Sequence, residues 1–113
     1  MKTLNFENVN ILHPKMSEQE VKLMTDMGVV GVFEMLLVQG LSSIYPQGLP
    51  MTKGKILARL QARVAISPVQ NTQIDIEDAE FDLVKQVFAG EEAKFQASQY
   101  GVILQYVDAL EGI

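Results

Sequence analysis

The decisive stretch of this sequence reads Met27-Gly28-Val29-Val30-Gly31-Val32-Phe33-Glu34-Met35-Leu36-Leu37-Val38. It is the most hydrophobic part of the 113 residues, and it is shorter than the roughly 20 apolar residues of a membrane span. We therefore expect a buried core helix. Each glycine lowers helix stability by about 1 kcal/mol relative to alanine. The sequence thus predicts either a break near Gly28 or another backbone packed closely against this face.

The helix around this stretch is predicted to begin at a capping box. In Ser17-Glu18-Gln19-Glu20 the serine hydroxyl can accept from the Glu20 amide, while the Glu20 carboxylate reaches back to the Ser17 amide. Apolar residues recur at helical spacing from there to Tyr45-Pro46. The pattern indicates one apolar helix, or a broken one, over residues 17–45.

The flanking segments show different patterns. Residues 1–15 begin with alternating polar and apolar side chains, which predicts a short strand followed by an irregular stretch. A connector rich in proline and glycine occupies residues 46–50. After it, apolar residues at helical spacing among lysines and arginines predict a basic helix over residues 52–66, with Thr52 as its cap.

The C-terminal half is predicted to add a second strand and two acidic helices. Residues 73–76 have the pattern of a very short strand. Helices are expected over residues 77–89 and 91–110, with Gly90 closing the first of them. The expected fold is mainly α, or α+β with a minor strand pair. It is a compact bundle of three to four helices, forming a single domain over residues 1–113.

Composition and charge restrict the functions open to this chain. With 48% hydrophobic and 20% charged residues, it has the composition of a folded domain. The absence of cysteine excludes disulfides, thiolate nucleophiles and thiolate metal sites. A net charge of −5 argues against a broad electrostatic grip on nucleic acid or on an anionic membrane. This charge is uneven, because a +4 segment at residues 49–71 separates a −2 segment from a −7 segment.

No residue pattern indicates catalysis. His13 is the only histidine, so it has neither a thiol to activate nor a second imidazole with which to bind a metal. The acidic residues after Asp75 do not follow the spacing of a calcium-binding EF-hand loop, since Glu80 stands where that loop needs glycine. We therefore expect no enzymatic activity, no cofactor and no metal site.

The apolar residues between positions 16 and 51 are more numerous than one helix face can bury in so small a chain. Methionine is frequent among them and suits adaptable contacts. We expect part of this surface to bind a second copy of the chain or another protein. The residues assigned to this apolar face are Met24, Met27, Phe33, Leu37 and Leu41.

Two charged surfaces are further candidates. The acidic one either complements helix dipoles or imitates the phosphates of nucleic acid. It comprises Asp75, Glu77, Asp78, Glu80, Asp82, Glu91 and Glu92. The basic one either binds an anion or pairs with the acidic segment, within the fold or across a subunit interface. It comprises Lys53, Lys55, Arg59 and Arg63.

Three segments in order carry a resemblance. They are Leu49-Pro50-Met51-Thr52-Lys53-Gly54-Lys55-Ile56-Leu57-Ala58-Arg59-Leu60, then residues 74–85, then residues 106–111. With the strand-like N-terminal segment, this order resembles small phage- or prophage-encoded proteins of unassigned role. The resemblance spans most of the chain, rests on helical pattern and transfers no functional residue. It implies a structural or assembly component of a phage.

The sequence as a whole favours a non-enzymatic protein–protein interaction or assembly protein that is homo-oligomeric. The first alternative is a small acidic inhibitor that blocks a basic cleft of a host protein. The second is an anion- or nucleotide-binding module that uses the basic helix. The first residues contain no continuous apolar signal region, so we expect a cytoplasmic location, or the virion if the protein is phage-encoded. We expect neither a membrane nor nucleic acid as a partner.

Overall fold

Helices account for most of the chain in the computed structural model, which describes residues 1–111. A short turn of 3-10 helix, Ala97–Gln99, precedes the last of them. The elements are β1 (Lys2–Asn5), α1 (Glu18–Ile44), α2 (Met51–Ile66), β2 (Gln73–Ile76), α3 (Asp78–Phe88) and α4 (Tyr100–Glu111). The predicted class, mainly helical with one short strand pair, is confirmed.

The two strands pair antiparallel and bury one face of a small ribbon. Leu4 lies opposite Ile74, and the two side chains point into the core. On the outer face the Thr3 hydroxyl donates to the Asp75 carboxylate over 2.5 Å. Beyond β1, the Phe6 amide donates to the Thr72 carbonyl, which places the Phe6 ring fully inside. The alternation of apolar and polar residues that predicted the strands therefore reflects a ribbon with one buried face.

The core is built around the C-terminal part of α1. Phe33 is 0% exposed. Its ring lies 4.8 Å from that of Phe6, 5.3 Å from that of Phe88 and 5.8 Å from that of Tyr106, measured between centroids. The residue that follows β1 and residues of α3 and α4 thus meet on one side chain. The prediction of a buried core helix is confirmed.

A kink interrupts α1 at Gly28. This residue has φ +73° and ψ 169°, a combination that is essentially restricted to glycine. A Cβ here would also collide with the backbone carbonyl of Val69. Both predicted alternatives, a break and a closely packed backbone, therefore occur at the same residue.

Two predicted helix starts are wrong. The basic helix begins at Met51 with Pro50 in the cap position, so Thr52 lies in the first turn and does not cap it. Proline suits a helix start because its φ angle is already near the helical value. The last helix begins at Tyr100 instead of residue 91. Before it, Phe95 leaves the helical path and packs its ring against Phe88.

Gly90 also differs from the prediction. The α3 helix ends with Ala89 as its C-cap, and the glycines with positive φ among residues 1–111 are Gly28 and Gly48. Gly90 therefore does not close α3 in the left-handed conformation that a C-terminal glycine usually provides.

Candidate interaction site

The kink divides α1 into two parts with different environments. We call residues 18–27 the α1 arm and residues 29–44 the α1 core segment. Every buried residue of the helix lies in the core segment, the first of them being Val30. In the arm, Leu23 is 55% exposed although it is a large apolar residue. The arm thus presents apolar side chains that the rest of the described chain does not bury.

The arm begins at the predicted cap. The Ser17 hydroxyl oxygen accepts from the Glu20 amide at 3.2 Å, and the same hydroxyl donates to the Glu20 carboxylate, also at 3.2 Å. The carboxylate thus bonds to the serine side chain, whereas a reciprocal capping box would direct it to the serine amide. These contacts fix where the helix starts and how the preceding loop enters it.

A groove of about 410 Å³ lies between the arm, the loop at residues 11–16, the α1 core segment and the start of α4. This volume falls within the range of typical binding pockets, roughly 300–1,000 Å³. Three of its lining residues are methionines, so we call it the methionine groove. Its apolar lining includes Ile11, Met16, Met24, Met35, Leu36 and Val102.

The charged residues of the groove and His13 lie on the loop and the arm, whereas Gln96, Ser98 and Gln99 line its other side. His13 Nδ1 accepts from the Lys15 amide at 3.1 Å, so a neutral His13 ring carries its proton on Nε2. Lys15 and Glu20 both line the groove and have opposite charges. Within residues 1–111 neither of them forms an ion pair. The groove therefore combines an apolar lining with one cation and one anion that stay available to a partner.

Hydrogen bonds connect α1 to α4 and to the 3-10 turn before it. The side-chain amides of Gln39 and Gln99 bond to each other twice, at 2.7 and 2.9 Å, and so join the α1 core segment to this turn at the edge of the groove. The Tyr106 hydroxyl donates to the Val29 carbonyl, next to the kink, at 2.7 Å. Burial raises the pKa of this phenol well above its usual value, so it stays a donor at neutral pH. The kink is thus held between Val69 on one side and α4 on the other.

The structure corrects most of the predicted apolar face. Phe33, Leu37 and Leu41 are buried in the core, because the α1 core segment packs against α2, α3 and the aromatic residues Phe6 and Tyr106. They therefore cannot form a docking surface. Met24 lines the groove, and Met27 is half-buried in the arm. Of the predicted face, only these two methionines lie in the arm.

The predicted acidic surface is also divided. Glu80 is 1% exposed and accepts from Arg63 Nε at 2.8 Å, so it belongs to the interior. Glu77 caps α3 and lies 3.6 Å from the Arg63 guanidinium. Asp75 accepts from Thr3 in the ribbon. The acidic residues that remain exposed without such contacts are Asp78, Asp82, Glu91 and Glu92.

Two of the four residues of the predicted basic surface also bond to other residues within the fold. Arg63 pairs within the fold with Glu77 and Glu80. Lys53 donates to the Gln86 side chain at 2.9 Å and so joins α2 to α3. Lys55 and Arg59 remain exposed. The structure therefore does not bring the four basic residues together as one anion-binding site.

The groove itself was not predicted from the sequence. His13, Lys15, Met16, Glu20 and Met35 line it, yet none was assigned to an interaction surface. The feature of the sequence that could have indicated the groove was the high frequency of methionine. The convergence of these residues depends on the direction of the kink and on the position of α4, and a pattern of residue types contains neither.

Two further features bear on function. Within the described residues 1–111, no group of three or more histidine, aspartate or glutamate side chains is placed to hold a metal ion. The α1 helix is long and apolar enough to cross a membrane, with a mean hydropathy of 1.6 over 18 residues. Core helices of soluble proteins meet the same criterion, and the α1 core segment is packed among the other elements.

The chain was also compared with known proteins. No family model, curated protein or solved structure matches it significantly. The resemblance to phage-encoded proteins therefore remains a prediction.

Proposed function

We propose that the protein is a non-enzymatic interaction protein that assembles with other protein chains, and first with copies of itself, through the methionine groove and the α1 arm. The observation that carries this proposal is the combination of an open apolar groove of about 410 Å³ with a flanking helical segment in which no residue is fully buried. Contiguous exposed apolar surface of this kind is typical of protein-binding sites.

The chemistry of the groove supports a protein partner. Met16, Met24 and Met35 are unbranched and polarizable, so their side chains can adapt to the shape of an incoming apolar helix or loop. A helix laid into an apolar groove is a common mode of recognition, with anchors at helical spacing. The hydrophobic effect would supply most of the affinity, because the apolar surfaces leave water on binding.

The biological setting of this proposal comes from the sequence. We propose a phage structural or assembly component, acting in the host cytoplasm or in the virion. The resemblance described above supports this assignment, and the small size of the chain is consistent with a subunit of a larger assembly.

The two alternatives receive less support from the geometry. A mimic of nucleic acid would have to rely on Asp78, Asp82, Glu91 and Glu92, since Glu80 is buried and Glu77 caps a helix. An anion-binding module would retain Lys55 and Arg59, because the other two basic residues bond to neighbouring elements. We therefore propose assembly through the groove in preference to either alternative.

Size-exclusion chromatography with light scattering tests the proposal. The unmodified protein should form a defined multimer that persists at about 1 M salt, where the Debye length falls to about 3 Å and surface charge pairs are screened. Met24→Glu, which puts a charge into the groove, should give a monomer. Met51→Glu is the matched control, because Met51 is 76% exposed at the start of α2 and does not line the groove.

Two results would overturn this function. One is an unmodified protein that stays monomeric up to high concentration. The other is a multimer that Met24→Glu and Met51→Glu leave equally intact.

A further inference from the structure

We infer that the groove is occupied by the same face of a second copy of this chain, related by a two-fold axis, with Lys15 of each copy paired to Glu20 of the other. This inference rests on the proposed function, because it names the partner and the orientation for the same site. It follows from the charge distribution, from the pattern of the arm and from the symmetry of a dimer.

Charge favours approach of a second copy at this face. Each copy has a net charge of −5, so most orientations of two copies are repulsive. The α4 side of the groove is an exception, because residues 95–107 contain no charged side chain. On the opposite side, the charged residues that line the groove are one cation, Lys15, and one anion, Glu20. The groove face is therefore close to neutral, whereas the excess negative charge lies elsewhere on the molecule.

The arm continues the groove outward as one stripe. Glu20, Leu23, Met24 and Met27 stand at i, i+3, i+4 and i+7, and such positions share one face of an α-helix. Glu20 and Met24 line the groove, so Leu23 and Met27 lie beside it on the same face. Leu23 is the more exposed of the two. A second arm packed against this stripe would cover the apolar residues that its own chain leaves in water.

Two-fold symmetry accounts for the unpaired charges. In such an interface residue i of one copy meets residue j of the other, and j meets i. A face with one cation on the loop and one anion on the arm can therefore pair with itself twice. Pairs at the rim of an interface contribute more to orientation and specificity than to affinity. Lys15 and Glu20 thus set the register of the dimer, and the methionines supply most of its affinity.

A charge exchange tests this arrangement by sedimentation velocity at low salt. Lys15→Glu and Glu20→Lys should each weaken the dimer at least tenfold, because each variant places two like charges together at both rims. An equimolar mixture of the two variants should recover a dimer, and native mass spectrometry should show it to contain one copy of each. This recovery is expected because each remaining contact then joins opposite charges.

Neighbouring charges provide the controls. Glu18 and Lys22 lie in the same stretch of the arm, but the helical period turns them away from the stripe. Glu18→Lys and Lys22→Glu should therefore leave the dimer intact. Circular dichroism of each variant checks the helix, since Glu20 bonds to the cap residue Ser17. Lys15→Glu leaves that contact in place, so its effect is independent of the cap.

The outcomes separate this inference from the proposed function. A multimer that Met24→Glu disrupts but that neither charge reversal affects overturns the Lys15–Glu20 pairing and leaves assembly through the groove standing. Variants that dissociate singly and do not recover on mixing overturn the two-fold arrangement. An unmodified protein that is monomeric under all conditions removes both proposals.

Discussion

The two parts of α1 both have apolar residues at helical spacing, but they lie in different environments. The core segment, residues 29–44, has one charged residue in sixteen and contains all the buried residues of the helix; its Phe33 ring contacts those of Phe6, Phe88 and Tyr106. The arm, residues 18–27, has four charged residues in ten, and none of its apolar residues is fully buried. A stripe of apolar residues on a helix therefore identifies a surface that is to be removed from water. Tertiary structure decides whether the same chain buries that surface.

The largest expected difference in the free energy of unfolding is between truncation of a side chain in the core segment and truncation of one in the arm. Phe33→Ala should lower the free energy of unfolding by about 3–5 kcal/mol, because it leaves a cavity among packed aromatic rings. Leu23→Ala, in the arm, should change it by no more than about 0.5 kcal/mol in the monomer, since the residue is mostly in water. Urea denaturation at low protein concentration measures both. Equal losses would show that the arm belongs to the core.

Substitution at Gly28, the boundary between the two parts, should lower the stability of the protein nearly as much. Gly28→Ala should destabilise the protein by about 1–3 kcal/mol, since alanine disfavours this backbone conformation and its Cβ would meet the Val69 carbonyl. Gly31→Ala is the control. Gly31 is helical and its nearest neighbour would be an ordinary 3.4 Å contact with Met27, so alanine should stabilise the helix by up to about 1 kcal/mol.

Thermal unfolding of the two glycine variants compares their stabilities directly. If Gly28→Ala were as well tolerated as Gly31→Ala, the kink would be absent in solution. The arm would then continue straight from the core segment, and the methionine groove would lose one of its sides.

A smaller effect, dependent on pH, is expected at the contact between α4 and the kink. Tyr106→Phe removes the hydrogen bond to Val29 and should cost about 1 kcal/mol at neutral pH. Burial raises the pKa of Tyr106 in the folded state above its ordinary value of about 10. The unfolded chain therefore loses this proton first. Its contribution to stability is complete below about pH 10 and declines as the pH rises further.

Urea midpoints measured at about pH 8 and about pH 11 check this assignment. Both proteins contain the same lysines and the same other tyrosines, so the difference between them isolates Tyr106. The unmodified protein should lose more stability over this interval than Tyr106→Phe does. Parallel losses would show that the phenol is not buried in the folded state.

Much of the fold could be predicted because it depends on local chemistry. The cap at Ser17, the alternation in the two strands and the special position of Gly28 are all encoded within a few neighbouring residues. The start of the last helix was missed for the opposite reason. Phe95 fits a helical pattern in the sequence, but residues 89–96 form no helix, and the Phe95 ring packs against Phe88 at the end of α3.

The candidate site was less predictable because it depends on contacts between distant residues. Glu80 looked like one member of an exposed acidic run, but its carboxylate accepts from the Glu77 amide and from Arg63, 17 positions away, and the approach of Arg63 depends on the packing of α2. Phe33 could be recognised as apolar, whereas its enclosure requires Phe6, Phe88 and Tyr106 to be in place. The sequence identified Met24 and Met27, which lie in the arm that the kink creates.

The ribbon of β1 and β2 has a consequence for the order in which the protein forms. Its strands join residues 72 positions apart, as in the pair Thr3 and Asp75. Ribosomes add roughly 5–20 residues per second, whereas helices form within about a microsecond. The first strand therefore waits several seconds for its partner, and α1 and α2 can form in the interval. Since Leu4 and Phe6 are fully buried in the finished molecule, this part of the core cannot close before residues 73–76 have been added.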